Sequence, residues 1–182
     1  WPLLVSVAAW PSAAWAPAAQ SAVLIAAAGV AAFAALLLPL AGLRVVAAAL
    51  LIAITCGRAD RPVDGAFSLA AIDVGQGLAV VVETARHVLV FDTGPRWRGG
   101  GEAARVSLLP YLRARGIRQI DTMVVSHEDQ DHSGGADLIR RTLRVSRTMT
   151  APGNSHAAEA ICVRGRAWQW DGVSFRVLHP PA

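Results

Sequence analysis

The segment Ile120-Asp121-Thr122-Met123-Val124-Val125-Ser126-His127-Glu128-Asp129-Gln130-Asp131-His132-Ser133-Gly134-Gly135 decides how this chain is read. Residues Ile120 to Val125 form a largely apolar run with the character of a buried strand, and the end of such a strand is where a sheet delivers functional side chains. From His127 to His132 stand two imidazoles and three carboxylates. Groups of this kind, crowded together, lose hydration and repel one another unless a cation or solvent compensates them. The stretch therefore reads as a metal site, and a two-ion one. In an extended or gently turning loop, His127 and Asp129 point the same way and could share one ion. Asp131 and His132 fall where the chain turns into the next helix, and could hold a second. Paired divalent cations suit a phosphodiester displacement, because they activate the nucleophile and stabilise both the attacking and the leaving oxygen. The blander alternative is a polar helix cap, with Asp131 accepting backbone N–H groups. It leaves both imidazoles unexplained.

Outward from this loop, strands and helices alternate. Phe67 to Val74 is a strand candidate, broken by Gly75-Gln76-Gly77. Leu78 to Glu83 and His87 to Phe91 are two more, joined at Thr84-Ala85-Arg86, and the second ends in Asp92-Thr93-Gly94-Pro95. A glycine-rich loop from Arg96 to Gly101 leads to a helix over Ala104 to Arg115, where Pro110 forces a kink or a late start and Gly116 is the cap. A helix over Gly135 to Leu143 follows the metal loop, then a strand near Val145 to Thr150 and a loop over 151–159. Trp168 to Trp170 and Val173 to Leu178 flank Asp171-Gly172, a two-residue hairpin signal. There is no internal repeat. The order implies an α/β layered domain, cut before it closes.

Charge divides the chain. Residues 1–57 carry one charged side chain, Arg44. Residues 58–182 carry the other 16 Arg and all 13 carboxylates, a balance of 16 − 13 = +3. Lys is absent, which points to a GC-rich genome more than to a functional choice. Ser21 to Leu40 runs 20 residues without a charge; as a helix it would span roughly 30 Å, the hydrocarbon thickness of a bilayer. Leu43 to Cys56 is a shorter apolar stretch with Arg44 placed to snorkel. Residues 1–9 read as the end of a further span, and Trp10, Pro11, Trp15 and Pro17 as an interfacial loop. The apolar region is too long and too repeated for a cleaved signal peptide, and lacks a basic start. The expected organisation is transmembrane helices over 1–57, a linker over 58–66 and a soluble domain over 67–182. The positive-inside tendency would put Arg44 in the cytoplasm and residues 58–182 on the outer face. The start at Trp1 marks a fragment or a processed product. Cys56 and Cys162 do not make a disulfide framework, and each is expected as a buried thiol.

These residues carry a resemblance. His127-Glu128-Asp129-Gln130-Asp131-His132 resembles the metal signature of the metallo-β-lactamase fold. Asp129 stands where the usual pattern has His, a departure characteristic of the ComEC family of DNA-internalisation competence proteins. Ile72-Asp73-Val74-Gly75-Gln76-Gly77 resembles that family's opening strand and loop, and Val90-Phe91-Asp92-Thr93-Gly94 the fold's first conserved aspartate motif. Trp170-Asp171-Gly172-Val173 and Leu178-His179-Pro180 match its later hairpin. Leu78 stands where the family has Asp after Gly-Gln-Gly, which puts any role for that carboxylate in doubt. The resemblance implies a truncated metallo-β-lactamase-like αββα sandwich preceded by transmembrane helices, with 67–182 its N-terminal part. It also implies a multi-pass protein of the bacterial inner membrane, with the hydrolase domain on the periplasmic face. That protein would take up transforming DNA, and the domain would degrade the non-transported strand as a metal-dependent phosphodiesterase. Alternatives are a non-catalytic translocation scaffold and a membrane-tethered metallo-hydrolase with another substrate.

The expected metal ligands are His127, Asp129, Asp131 and His132, holding two divalent ions. Asp129 hardens the set toward Mn²⁺ or Mg²⁺, though mixed nitrogen and oxygen ligands still accept Zn²⁺. Asp131 and Asp92 are the expected catalytic carboxylates, Asp92 by orienting a metal-bound His or the loop, with a turn-forming Asp as its alternative. Gln76 could contact substrate or shape a turn. Arg96-Trp97-Arg98 could form a DNA-contacting arm, against a merely solvated loop, and Arg140, Arg141, Arg144 and Arg147 a DNA-attracting face or a solvated one. His87 and His156 read as surface residues. The resemblance calls for a further His and a bridging Asp. His179 is a candidate for the former, and the latter is expected beyond Ala182, so residues 1–182 should be inactive alone. Expected partners are DNA (single strand or incoming duplex), the membrane, other competence-machinery proteins and a second copy of the chain.

Overall fold

The computed structural model describes residues 22–37, 41–56, 60–153 and 158–180. The chain divides into two units, one built on an apolar helical pair and one on a sheet. In the first, α1 (Ala22–Leu37) and α2 (Ala41–Cys56) are 16 residues each. Ala28 and Ala47 are buried, while Val23, Ile25, Phe33, Val45 and Ile52 are exposed. Apart from Arg44, both helices are built almost wholly of apolar and small residues. Among the described residues, no helix is long and apolar enough to cross a membrane. The 20-residue span expected over Ser21 to Leu40 is described as helix only over Ala22–Leu37, and Ser21 and residues 38–40 lie outside the described residues, as do 1–20.

The second unit contains a six-stranded mixed sheet. Its strands in chain order are β1 (Ser68–Ala71), β2 (Val80–Glu83), β3 (Val88–Phe91), β5 (Thr122–Val125), β7 (Thr148–Thr150) and β8 (Ala160–Ile161), which is also their spatial order. β1, β2 and β3 pair antiparallel; β3, β5, β7 and β8 pair parallel. Two short strands, β4 (Gln119–Ile120) and β6 (Arg144–Val145), pair beside it. The expected strand over Ile120 to Val125 is thus two pieces, and β8 lies just past the expected loop.

The central strands are apolar on both sides because both faces are covered. On one face Val88, Val90, Met123 and Val125 pack with Leu108 of a π-helical turn (Ala104–Leu108), Leu112 of α3 (Leu109–Ala114) and Ile139 of α5 (Ala136–Thr142). On the other, Leu89, Val124 and Met149 meet Trp168, Trp170 and Phe175 of the hairpin β9 (Ala167–Trp170) and β10 (Val173–Arg176). The alternation 88/89/90 and 123/124/125 is the period of two that a pleated strand imposes. The kink expected from Pro110 takes the form of the π turn just before it, where the Leu109 N–H reaches the Ala104 carbonyl.

The Asp171-Gly172 turn has φ of 50° and 79° at its two residues, the left-handed pair that a type I′ hairpin requires. Asp171 also anchors the hairpin. Its carboxylate accepts from Thr84 Oγ1 at 2.6 Å and the Arg86 N–H at 2.7 Å, and meets His87 Nδ1 at 3.0 Å and the Arg86 guanidinium at 2.8 Å. The Thr84 hydroxyl above all, with His87 and Arg86, holds this carboxyl well below the usual range against the opposing effect of burial. His87, expected at the surface, is half-buried and stacks on Trp170 with ring centroids 5.0 Å apart. The sequence could not show this, because its partners Trp170 and Asp171 lie more than 80 positions away. His156 lies outside the described residues. Cys162 is a free, buried thiol, and burial pushes its pKa up.

Candidate metal centre

β5 ends at Val125, and Ser126 to Asp129 lead into a four-residue helix, α4 (Gln130–Ser133). Asp129 occupies the N-cap position, but no side-chain bond caps the helix there. The turn carries Asp131 and His132 back over His127. The imidazoles of His127 and His132 lie 4.1 Å apart, centroid to centroid. One ligand atom each from His127, Asp131 and His132 falls within 4.8 Å of the other two. Asp129 stands at the rim, 78% exposed, with Oδ2 3.5 Å from His127 Nε2; Asp131 Oδ2 is 3.9 Å from His132 Nε2. The two His–Asp pairs are therefore neighbours, while the tighter group is a mixed one of His127, Asp131 and His132.

Asp92 lies just past β3, 0% exposed. The parallel register sets Phe91 opposite Val124, so Asp92 arrives beside Ser126. Asp92 Oδ1 accepts from the Ser126 N–H at 2.7 Å, and Oδ2 accepts from the Ser126 hydroxyl at 2.7 Å and from His132 Nδ1 at 2.8 Å. Ser126 Oγ in turn lies 2.8 Å from His127 Nδ1. A carboxylate only accepts. The Ser126 proton therefore goes to Asp92, leaving the serine oxygen to accept from His127 Nδ1–H. Both imidazoles then carry their proton on Nδ1 and present the Nε2 lone pair. Each of those lone pairs faces a carboxylate oxygen, an arrangement of like-signed groups that a cation would bind together. The donor set fits a divalent metal with mixed nitrogen and oxygen ligands.

The backbone of the loop is pinned from two sides. Thr93 donates to the His132 carbonyl from its N–H at 2.7 Å and its hydroxyl at 3.1 Å. The Leu78 N–H donates to the Asp131 carbonyl at 3.2 Å. Gly77, with φ of 123°, approaches so closely that a Cβ would run into the Asp131 carbonyl oxygen. Gly134 and Gly135 lie as tightly against Pro95-Arg96 and Thr93. Ser126 and Thr93 had no assigned role in the sequence, and Gly77 only that of breaking the strand before it. The only hint was a hydroxyl residue directly before the first imidazole.

An open cleft of about 950 Å³ adjoins the centre, lined on the metal loop by Glu128, Asp129, Gln130 and Asp131, and elsewhere by Asp73, Gln76, Arg96, Trp97 and Arg98 among others. Gln76 is exposed there; Asp73 accepts from the Gly75 N–H at 3.0 Å, as a turn-former does. His179 is exposed and is not part of the three-residue group. Arg140 turns to Asp137 at 3.3 Å, while Arg141, Arg144 and Arg147 are exposed.

Residues 72–155 match the family model of the metallo-beta-lactamase superfamily. The chain is 36% identical over 111 residues to Recombination protein 2 of Haemophilus influenzae, covering 60% of this chain and 14% of that protein. It is 38% identical over 112 residues to Competence protein ComA of Neisseria gonorrhoeae, covering 59% and 15%. To ComE operon protein 3 of Bacillus subtilis it is 28% identical over 138 residues, covering 61% and 18%. The chain thus spans less than a fifth of the length of these relatives.

Proposed function

From the premise that the chain belongs to the ComEC family of competence proteins and carries metallo-beta-lactamase superfamily residues, we propose that it is part of a membrane-bound DNA-uptake protein whose soluble unit is a metal-dependent phosphodiesterase acting on the non-transported strand. The observation that carries the reading is the single buried carboxylate of Asp92, which sets the proton of His132 directly and that of His127 through Ser126, with Asp131 alongside.

His127, Asp131 and His132 would hold one divalent ion, and Asp129 would contribute to a second from the rim. Mn²⁺ and Zn²⁺ suit this set, with Mg²⁺ a further candidate. When bound, such ions supply Lewis-acid activation and charge neutralisation at phosphorus. The chain's own residues do the rest. Asp92 and Ser126 keep both Nδ1 protons in place, so neither imidazole can turn its N–H toward the ligand position. Thr93 and Leu78 hold the loop backbone, which fixes the approach of Asp131. Glu128, Asp129 and Asp131 make the metal-loop side of the cleft anionic, so a phosphodiester can come against that side only once cations occupy the loop.

The apolar pair α1 and α2, exposed on its outer faces, supports a membrane setting, with the soluble unit on the periplasmic side of the inner membrane. DNA, other competence proteins and a second copy of the chain are the partners proposed. The test is a cation-dependent nuclease assay on the full-length protein with Asp131→Ala as control. Cleavage of a labelled strand that requires Mn²⁺ or Zn²⁺ and disappears in Asp131→Ala, with membrane insertion intact, is expected. Equal cleavage by the variant would remove Asp131 from the site; no cleavage by either would favour the scaffold reading.

A further inference from the structure

We infer that the loop from Pro95 to Ala103 is a preformed arm that grips single-stranded DNA at the cleft, with Trp97 stacking on an unpaired base and Arg98 neutralising an adjoining phosphate. The inference rests on the phosphodiesterase reading for the bond to be cut, but the arm's grip is argued, and can be tested, without it.

The arm is a closed structure. Arg96 and Glu102 form an antiparallel bridge at its base. Ala103 N–H donates to the Pro95 carbonyl at 2.9 Å, Trp97 N–H to Gly101 at 3.1 Å, and Gly100 N–H to Trp97 at 3.0 Å. The Arg96 guanidinium lies 3.1 Å from Glu102, whose side chain is only 9% exposed and is also 3.5 Å from Arg105. Arg96 is therefore committed to the arm's own base, and its charge is largely satisfied there.

The tip differs. Trp97 is 44% exposed, yet it is not loosely placed. Its six-membered ring lies over Gly101, where a Cβ would sit 3.4 Å from Trp97 Cε3. A large indole held against its own backbone and left open to solvent is an unusual use of the side chain that buries most area. Arg98, next to it, is exposed and has no ion pair among the described residues. Both line the cleft that also contains Glu128, Asp129 and Asp131. An aromatic face and a free guanidinium on successive residues match the alternation of base and phosphate along a strand. Stacking on Trp needs a base whose face is bare, which a single strand offers and an intact duplex does not. A duplex could engage Arg98 only.

The test is anisotropy of a labelled single-stranded oligonucleotide and of its duplex with the full-length protein, in chelator so that no cleavage intervenes. Trp97→Ala should weaken single-strand binding by roughly tenfold or more and leave duplex binding unchanged, and Trp97→Phe should restore most of the loss. Arg98→Ala should weaken both and lower the slope of log affinity against log salt by about one. Arg118→Ala, in a second cleft with Val88 and Asp121 at the opposite ends of β3 and β5, should change neither. Wild-type single-strand affinity in Trp97→Ala, or equal losses for strand and duplex, would overturn the proposal. Absence of nuclease activity from the unmutated protein, with these binding differences present, would instead overturn the phosphodiesterase reading and leave the arm standing.

Discussion

Asp92→Asn isolates the part of the centre that the chain itself provides. The substitution keeps shape and volume, and Asn tolerates the left-handed φ of 58° at this position. The amide oxygen can still accept from the Ser126 N–H, and the backbone bond from residue 92 to Val124, 2.8 Å long, is untouched. What changes is the second atom. Oδ2 accepts from both the Ser126 hydroxyl and His132 Nδ1; an NH₂ there can accept from neither. The serine hydroxyl can rotate and accept, which frees it to donate to His127 Nδ1. His132 must present a lone pair at Nδ1, which moves its proton to Nε2, and His127 is driven the same way. The lost charge-assisted bonds should lower stability by about 2 kcal/mol. The larger effect falls on cation binding, because both Nε2 atoms become donors. Losing one orienting partner typically weakens a metal site by 10–100-fold, and here one carboxylate orients two ligands, so the upper part of that range, about 2.7 kcal/mol, is expected. Calorimetric titration with Mn²⁺ or Zn²⁺, beside urea unfolding of the same samples, separates the two. A variant that folds and binds the cation within twofold of the unmutated protein would refute the tautomer argument.

Three further outcomes are expected. Gly77→Ala should weaken cation binding and lower unfolding stability by roughly 1–3 kcal/mol, since its Cβ would push the Asp131 carbonyl aside; unchanged binding by titration would show that this contact does not position the ligand. Leu112→Ala, at a fully buried position, should cost about 2–5 kcal/mol in denaturant unfolding, and a loss under 1 kcal/mol would mean that the helix face is not the core described. The third is acid loosening of the β9–β10 hairpin. The Asp171 carboxyl is held below its unfolded value, so its stabilisation is fully present above roughly pH 4 and is lost as pH falls toward the lower folded value. Trp fluorescence followed from pH 7 downward should report this, and a curve identical to that of Asp171→Asn would argue against it.

The parts legible in the sequence are those whose signal is local. The candidate metal loop stands out because its imidazoles and carboxylates crowd into six consecutive positions, and the hairpin because Asp171-Gly172 can adopt the turn that few other pairs can. Strand positions were legible within a few residues, since burial on both faces writes them as apolar runs. The Pro110 kink was legible as a disturbance, but its form as a π turn depends on packing against the sheet. What was not legible is long-range in the chain. His87 reads as a surface residue until β9 supplies Trp170 and the turn supplies Asp171. Ser126 is an unremarkable hydroxyl until β3 and β5 pair in the register that sets Phe91 against Val124.

That register explains why residues 92–96 matter more than their composition suggests. A strand continuing past Phe91 would keep alternating and leave the carboxylate of Asp92 above or below the sheet. The left-handed φ at Asp92, a conformation that a non-glycine residue holds only when its surroundings demand it, lets the carboxylate meet Ser126 and His132 instead. The next residue, Thr93, grips the His132 carbonyl. Gly94 N–H bonds the Leu78 carbonyl, whose own N–H holds Asp131. Pro95 and Arg96 then press on Gly134 and begin the arm that carries Trp97. One short segment thus anchors the acidic metal loop, the Gly77 turn and the root of the basic arm. The ligand positions and the nearer wall of the cleft cannot shift independently, and a strand held by the arm would meet the metal loop at a distance fixed by the backbone rather than by flexible side chains.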